Sequence, residues 1–251
     1  VLVNADAAML LSNRALLPIT DVLACGFDGP AAQHKVARVT GNPVRADIEA
    51  ITHPSERFAN RTGPLRVLIV GGSLGAKALN DAVPAALAMI PPEQRPLITH
   101  QTGMANFESV KADYAKVGLN PGKDAEVLPF INNMPQRLAE CDVIIGRAGA
   151  ITVSELCAAG VPSILVPLVV STTAHQRDNA QYMADNGAAI HLPQAELNPT
   201  KLAELIKSLN RTGLAAMAIK ARGLARLQSA AAVADAIEQN VKPQTTAKAS
   251  P

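Results

Sequence analysis

At 251 residues, with 48% apolar residues, the chain is long enough for one large or two modest domains with ample core. A net charge of +2 with scattered basic residues, an aromatic content of 2% and no Trp argue against nucleic acid as a partner. The longest apolar stretch, Leu156 to Val170, is broken by Gly160, Pro162 and Pro167 and is too short to span a bilayer, while Cys25, Cys141 and Cys157 lack metal-ligand spacing and read as buried thiols of a reducing compartment.

The opening Val1-Leu2-Val3 reads as the inside of a strand, so the chain is expected to begin within a larger protein. A helical pattern around Ala7 to Leu17 precedes two short β-rich pieces, Val22 to Cys25 and Val36 to Val39. Residues 1–43 are too few for a core of their own and read as the remnant of a second domain. Gly41-Asn42-Pro43-Val44-Arg45 follows, where the residue before proline is held extended and a hinge is expected. Residues 52–64, with His53-Pro54 and Thr62-Gly63-Pro64, read as a polar approach to the next core.

Arg66 to Val70 is an apolar run of strand length, and Gly71-Gly72-Ser73-Leu74-Gly75-Ala76 follows at once. A helix striped by Leu79, Val83, Leu87 and Ile90 comes next. Strand, glycine turn and helix form an anion-receiving geometry in which the backbone approaches a diphosphate and Ser73 offers a hydroxyl; a glycine turn without a ligand remains the plainer alternative. The turn is not a dinucleotide fingerprint, because Ser73 stands where a glycine is required and the strand Leu97 to His100 lacks a terminal acid for an NAD ribose. A helix over Phe107 to Lys116 and a strand over Ala125 to Leu128 lead to Phe130-Ile131-Asn132-Asn133-Met134, a loop that can show its backbone to a base edge or simply start a helix at Asn133.

Val143 to Ile145, a helix entered at Gly149 and left at Gly160, and Val161 to Val166 make a βαβ unit of a parallel sheet. Thr152 and Glu155 share the first turn of that helix. A hydroxyl for a phosphate and a carboxylate for a sugar diol suit a nucleotide there, yet Thr-x-x-Glu is equally a capping box. Residues 168–174 read as a loop, and His175-Gln176-Arg177-Asp178-Asn179 opens a helix on which Gln176 and Asn179, one turn apart, can face one ligand; His175 is otherwise a solvated cap residue. A strand over Ala188 to Leu192 and helices over Pro199 to Leu209, Leu214 to Leu227 and Ala230 to Gln239 follow, and residues 241–251 read as a disordered polar tail.

In this order, with Gly-Asn-Pro-Val-Arg upstream, these motifs resemble the MurG family, GT-B glycosyltransferases of family 28, over roughly residues 7–240. The resemblance implies an α/β fold: a Rossmann-like, doubly wound donor domain over 44–227, the remnant of a second Rossmann-like domain over 1–43, and a last helix, 228–240, packing back on the N-terminal domain. It implies transfer of GlcNAc from UDP-GlcNAc to the MurNAc C4 hydroxyl of lipid I, giving lipid II for peptidoglycan, at the cytoplasmic face of the membrane as a peripheral protein that meets the membrane through the N-terminal domain.

Carried over by position, Ser73 and Thr152 would meet the UDP phosphates, with Gly71, Gly72 and Gly75 shaping the turn. Glu155 would take the ribose, Ile131 the uracil, and Arg45 would lie near the nucleotide. Ala150, Ile151, His175 and Gln176, with Asn179 beside them, would hold the sugar. No metal and no cofactor is implied, and the general base is expected in a domain that this sequence lacks, so the chain alone is expected to bind UDP-GlcNAc with little turnover. Leu74 stands where the family usually has Gln, Ala174 where it commonly has an acid, and Val3-Asn4-Ala5-Asp6 where it has His-Glu-Gln-Asn. The competing expectations are a UDP-GlcNAc 2-epimerase of the same fold, a donor-binding subunit that needs a separate acceptor partner and, more distantly, an NAD dehydrogenase.

Overall fold

The computed structural model describes residues 1–168 and 174–241; the centre of the loop expected at 168–174 and the tail expected at 241–251, beyond Val241, lie outside them. Strands β1 (Leu2–Asn4), β2 (Leu23–Cys25) and β3 (Ala37–Val39) form a three-stranded parallel sheet in that order. Strands β4 (Arg66–Val70), β5 (Leu97–Gln101), β6 (Ala125–Leu128), β7 (Val143–Gly146), β8 (Ser163–Leu165) and β9 (Ala189–His191) form a six-stranded parallel sheet in the order β6-β5-β4-β7-β8-β9. The first helices of the described residues are α1 (Leu11–Leu16), α2 (Ala46–Glu49), α3 (Pro54–Ala59), α4 (Lys77–Ala88), α5 (Phe107–Lys116) and α6 (Met134–Glu140). They are followed by α7 (Ala150–Ala159), α8 (His175–Asp185), α9 (Pro199–Ser208), α10 (Arg211–Gly223) and α11 (Ser229–Glu238).

The two-residue period of a strand divides the core of the larger sheet. Val67 and Ile69 of β4 pack with Leu79, Val83 and Leu87 of α4, Tyr114 of α5 and Leu202 of α9. Leu68, between them, faces the other way, to Leu138 of α6, Leu156 of α7 and Met183 of α8. Each such fully buried aliphatic side chain contributes about 1.5–3 kcal/mol, so helices on both faces hold the sheet without help from propensity.

The smaller sheet is tied to the larger unit. Ala7 and Phe27 join the second core, with the Phe27 ring 5.3 Å from that of Tyr182. Asn42 donates from Nδ2 to Ala5 O at 2.8 Å and to Ser154 Oγ at 2.9 Å, and at the far end Arg38 donates to Gln239 Oε1, beyond α11, at 2.9 Å. α1 is shorter than the Ala7 to Leu17 pattern because Asn4 Nδ2 binds Asp6 O at 2.7 Å and Ala8 O at 3.3 Å, which fixes residues before Leu11 as a loop.

The stretch 52–64 departs from the expected polar approach. It holds α3, with Pro54 at its first position and His53 Nδ1 accepting from Ser55 N at 3.3 Å. From α3, Arg57 donates to Ala159 O and Gly160 O, each at 2.7 Å, and to Ala139 O at 3.2 Å. One cation thus closes the carbonyl ends of α6 and α7, where the helix dipoles are negative. Beside it, Arg61 and Arg211 hold the buried Asp142 at 2.8 and 3.2 Å. Burial pushes the Asp142 carboxyl up, but these guanidinium groups and the Arg66 N–H outweigh it and keep the group below the usual carboxylate range.

Behind the first turn of the larger sheet lies a buried polar chain. Asn80 donates from Nδ2 to Thr102 O at 3.0 Å, so its Oδ1 faces His100 Nε2 at 3.1 Å; that nitrogen carries the proton, and His100 Nδ1 accepts from Tyr114 OH at 3.1 Å. Burial pushes His100 down to about 4, from an ordinary value of 6.5. The unfolded chain therefore binds this proton more readily than the folded one. His100 stabilises the fold fully above pH 6.5, and that stability is lost as pH falls toward 4, by up to about 3 kcal/mol. Urea midpoints measured between pH 7 and 4.5 should fall more steeply for the wild type than for His100→Gln; parallel curves would show that His100 is not the titrating group.

Candidate functional site

The order of the larger sheet reverses between β4 and β7, and the loops leaving the carboxyl ends of these two strands open the crevice where doubly wound sheets bind ligands. After β4, Gly72 (φ 85°) and Gly75 (φ 77°) take backbone conformations that favour glycine, and Gly75 N closes the turn on Gly72 O at 2.9 Å. The N–H groups of Ser73 and Leu74, between them, meet no protein acceptor among the described residues. After β7, α7 starts from Gly149, and its first backbone bond is Val153 N to Gly149 O at 2.9 Å. The N–H groups of Ala150, Ile151 and Thr152 are left open, at the positive end of the helix.

This start removes the capping-box alternative. The residue at the N-cap is Gly149, and no side chain caps the helix, so Thr152 sits inside the first turn and Glu155 one turn further on. Glu155 pairs instead with Arg45, whose Nε lies 3.5 Å from Oε1. Burial raises the Glu155 carboxyl above the ordinary carboxylate range, and Arg45 opposes the shift. Arg45 comes from the hinge segment, at the residue that starts α2.

A cavity of about 330 Å³ lies between the two openings. Of the residues expected to bind ligand, Arg45, Gly72, Ser73, Ile131, Thr152 and Glu155 line it. Gly71 and Gly75 flank the turn; a Cβ on Gly71 would collide with the Ala76 backbone, and one on Gly75 with Thr102 O. Ala150 and Ile151 form the first turn of α7, with Ile151 49% exposed. Phe130, Asn132 and Gln101 also line it; Gln101 lies one residue beyond the strand read from the sequence, at the end of β5. A larger cavity, of about 510 Å³, sits among Arg66, Leu97, Lys123 and Arg137 at the amino ends of the strands, away from these openings. Among the described residues no group of three or more His, Cys, Asp or Glu side chains is placed to hold a metal ion.

The second helix start behaves differently. His175 and Gln176 begin α8 but do not line the cavity, and Gln176 Oε1 accepts from Leu168 N at 2.9 Å. Asn179 corrects the expectation that it faces a ligand. It is fully buried, donating to Asp6 Oδ1 at 2.8 Å and Ala148 O at 3.0 Å and accepting from Ala7 N at 2.8 Å. Three hydrogen bonds tie its amide into the joint between the smaller sheet and the α7 loop, so it is a brace. At Asn133 the helix starts as expected, but the side chain donates to Gln136 Oε1 at 2.9 Å and does not cap.

A carboxylate and two stretches with open N–H groups, reaching one cavity through Ser73 and Thr152 at a switch point, make a doubly wound domain suited to an anion. Residues 66–239 match the glycosyltransferase family 28 C-terminal domain. The chain is 62% identical over 239 residues to the UDP-N-acetylglucosamine--N-acetylmuramyl-(pentapeptide) pyrophosphoryl-undecaprenol N-acetylglucosamine transferase of Chromobacterium violaceum, covering 95% of this chain and 66% of that protein. It is 61% identical over 243 residues to the Methylibium petroleiphilum protein of the same name, covering 96% and 66%. The crystal structure of Acinetobacter baumannii MurG superposes with a TM-score of 0.80 at 35% identity, over 94% of this chain and 65% of that one. The chain belongs to glycosyltransferase family 28, in its MurG group, and has the α/β GT-B fold. It spans 66% of the length of the two relatives compared.

If Glu155 receives a ribose diol, Glu155→Ala should weaken UDP binding about ten- to a hundredfold in calorimetry, with the melting temperature kept. Binding should also weaken as pH falls through the raised Glu155 titration. Equal affinity in the variant would leave Glu155 as a partner of Arg45 alone.

Proposed function

We propose that this chain is the donor-binding part of an inverting N-acetylglucosaminyltransferase, which moves GlcNAc from UDP-GlcNAc to the MurNAc C4 hydroxyl of lipid I and so supplies lipid II to peptidoglycan. The observation that carries the reading is the convergence of Ser73, Thr152, Glu155 and Arg45 on one cavity, in a chain whose relatives are named for that transfer. In this reading the Ile131 backbone takes the uracil edge, Glu155 the ribose hydroxyls, and the openings at Ser73 and Thr152 the diphosphate. Ala150, Ile151, His175 and Gln176 face the sugar, the last two from the neighbouring helix start.

The acceptor C4 oxygen attacks the anomeric carbon from the face opposite UDP. Its proton passes to a general base, the bond from the anomeric carbon to the β-phosphate oxygen breaks, and UDP leaves with the electron pair. Charge gathers on the diphosphate as the bond breaks, where fixed N–H groups favour the transition state over the ground state. Each helix-end dipole is worth roughly 0.3–2 kcal/mol. The reading asks for no cofactor. Glu155 is the one carboxylate among the described residues lining the cavity, and its pairing with Arg45 and the ribose leaves it no part as the base. The chain alone therefore binds UDP-GlcNAc and turns over little. Among the described residues no helix is long and apolar enough to cross a membrane; we place the whole protein on the cytoplasmic face as a peripheral protein, its membrane contact lying outside this chain.

The test is incubation of the chain with sugar-labelled UDP-GlcNAc, with and without lipid I. Saturable binding, no UDP-ManNAc, and transfer roughly a hundredfold or more below that of a full-length relative are expected, as for loss of a general base. UDP-ManNAc would mean a 2-epimerase. No binding by the folded chain would overturn the donor site, and full transfer would overturn the assignment of the base to another region.

A further inference from the structure

Two carbonyls of the glycine turn after β4 are held by side-chain amides. Gly72 O accepts from Gln101 Nε2 at 3.1 Å as well as from Gly75 N at 2.9 Å. Leu74 O accepts from Asn106 Nδ2 at 3.2 Å, and the same amide reaches Thr102 O at 3.3 Å. Both donors come from the end of β5 and the loop after it, so both carbonyls are drawn to one side. In a trans peptide plane a fixed C=O turns its N–H the opposite way, so the bond at Gly72 O fixes the direction of the Ser73 N–H, beside the cavity that Gly72 and Ser73 line.

Three further observations fit. Gln101 is 3% exposed, so its bond to Gly72 O is made where water competes little. Gly103 (φ 84°) is where the β5 loop meets the turn, and a Cβ there would come within 2.6 Å of Gly75 N and Leu74 O. Leu74 itself is 87% exposed and its side chain offers an anion nothing, so what this residue can give a ligand is its N–H.

We propose that Gln101 is a positioning residue for the donor diphosphate: by holding Gly72 O it locks the Gly72–Ser73 peptide plane so that the Ser73 N–H, and not the Gly72 carbonyl, faces the anion, while Asn106 on Leu74 O holds the Leu74–Gly75 plane that closes the turn. The proposal rests on the donor-site reading above. It does not make Gln101 a catalytic residue, since its amide acts through the Gly72 carbonyl. Without the clamp the turn is free to rotate a carbonyl dipole toward the diphosphate, which would lower affinity for phosphate-bearing ligands and leave the nucleoside untouched.

The test compares UDP with uridine, each measured by competition calorimetry on the whole chain, in wild type, Gln101→Met and Asn106→Ala. Methionine keeps the length of glutamine and removes the donor. The wild type should bind UDP more tightly than uridine, and Gln101→Met should lose about tenfold or more of the UDP affinity while uridine changes less than roughly twofold. Asn106→Ala, at a less buried position, should move the same ratio by a smaller factor and keeps the test open should Gln101→Met fail to fold. A parallel loss of UDP and uridine would show a merely structural role, and unchanged ratios in both variants would overturn the clamp. A folded wild type that binds neither ligand would overturn the donor site itself.

Discussion

The site depends on one constraint, the reversal of strand order between β4 and β7. Because these neighbours run parallel, their carboxyl ends discharge side by side, one into a glycine turn and the other into the start of α7. Val70 pairs with Gly146 in that register, and a Cβ at Gly146 would lie 2.9 Å from Val70 O. The smallest residue at the end of β7 therefore lets the two strand ends, and the openings beyond them, sit side by side. A side chain there would press on the Val70 carbonyl of the neighbouring strand.

Around that crevice the polar side chains act mostly on backbone. Gln101 and Asn106 hold the glycine turn, Asn179 holds Ala148 O in the loop before α7, and Arg57 closes the opposite ends of α6 and α7. Each is a charged or amide donor on a carbonyl, so these backbone acceptors are satisfied within the chain. The smaller sheet takes part in this bracing: Asp6 and Ala7 bind Asn179, and Asn42 binds Ser154 on α7. A movement of the smaller sheet would thus be felt at the α7 start through two hydrogen-bonded joints.

Much of this was legible in the sequence. The apolar runs Arg66 to Val70 and Ala125 to Leu128 and the helix Phe107 to Lys116 match β4, β6 and α5 in both bounds, because strong periodicity and flanking glycines leave little choice. The helix α3 was hidden because His-Pro is both a turn signal and a helix start, and only the His53 cap to Ser55 decides between them. Thr152 and Glu155 were ambiguous for a similar reason: which residue takes the N-cap is a backbone fact, and here Gly149 takes it. Asn179 was misread because its partners, Asp6 and Ala7, are more than 170 residues away. Gln101 was missed because it ends a strand as an ordinary residue; its meaning comes from the turn it faces.

A crystal structure of the chain with UDP decides where the nucleotide sits. The account predicts the diphosphate between the N–H groups of Ser73 and Leu74 and those at the start of α7, the ribose on Glu155, and the Arg45 side chain moved to admit it. Nucleotide density in the larger cavity, with phosphates on Arg66, Lys123 or Arg137, would contradict it.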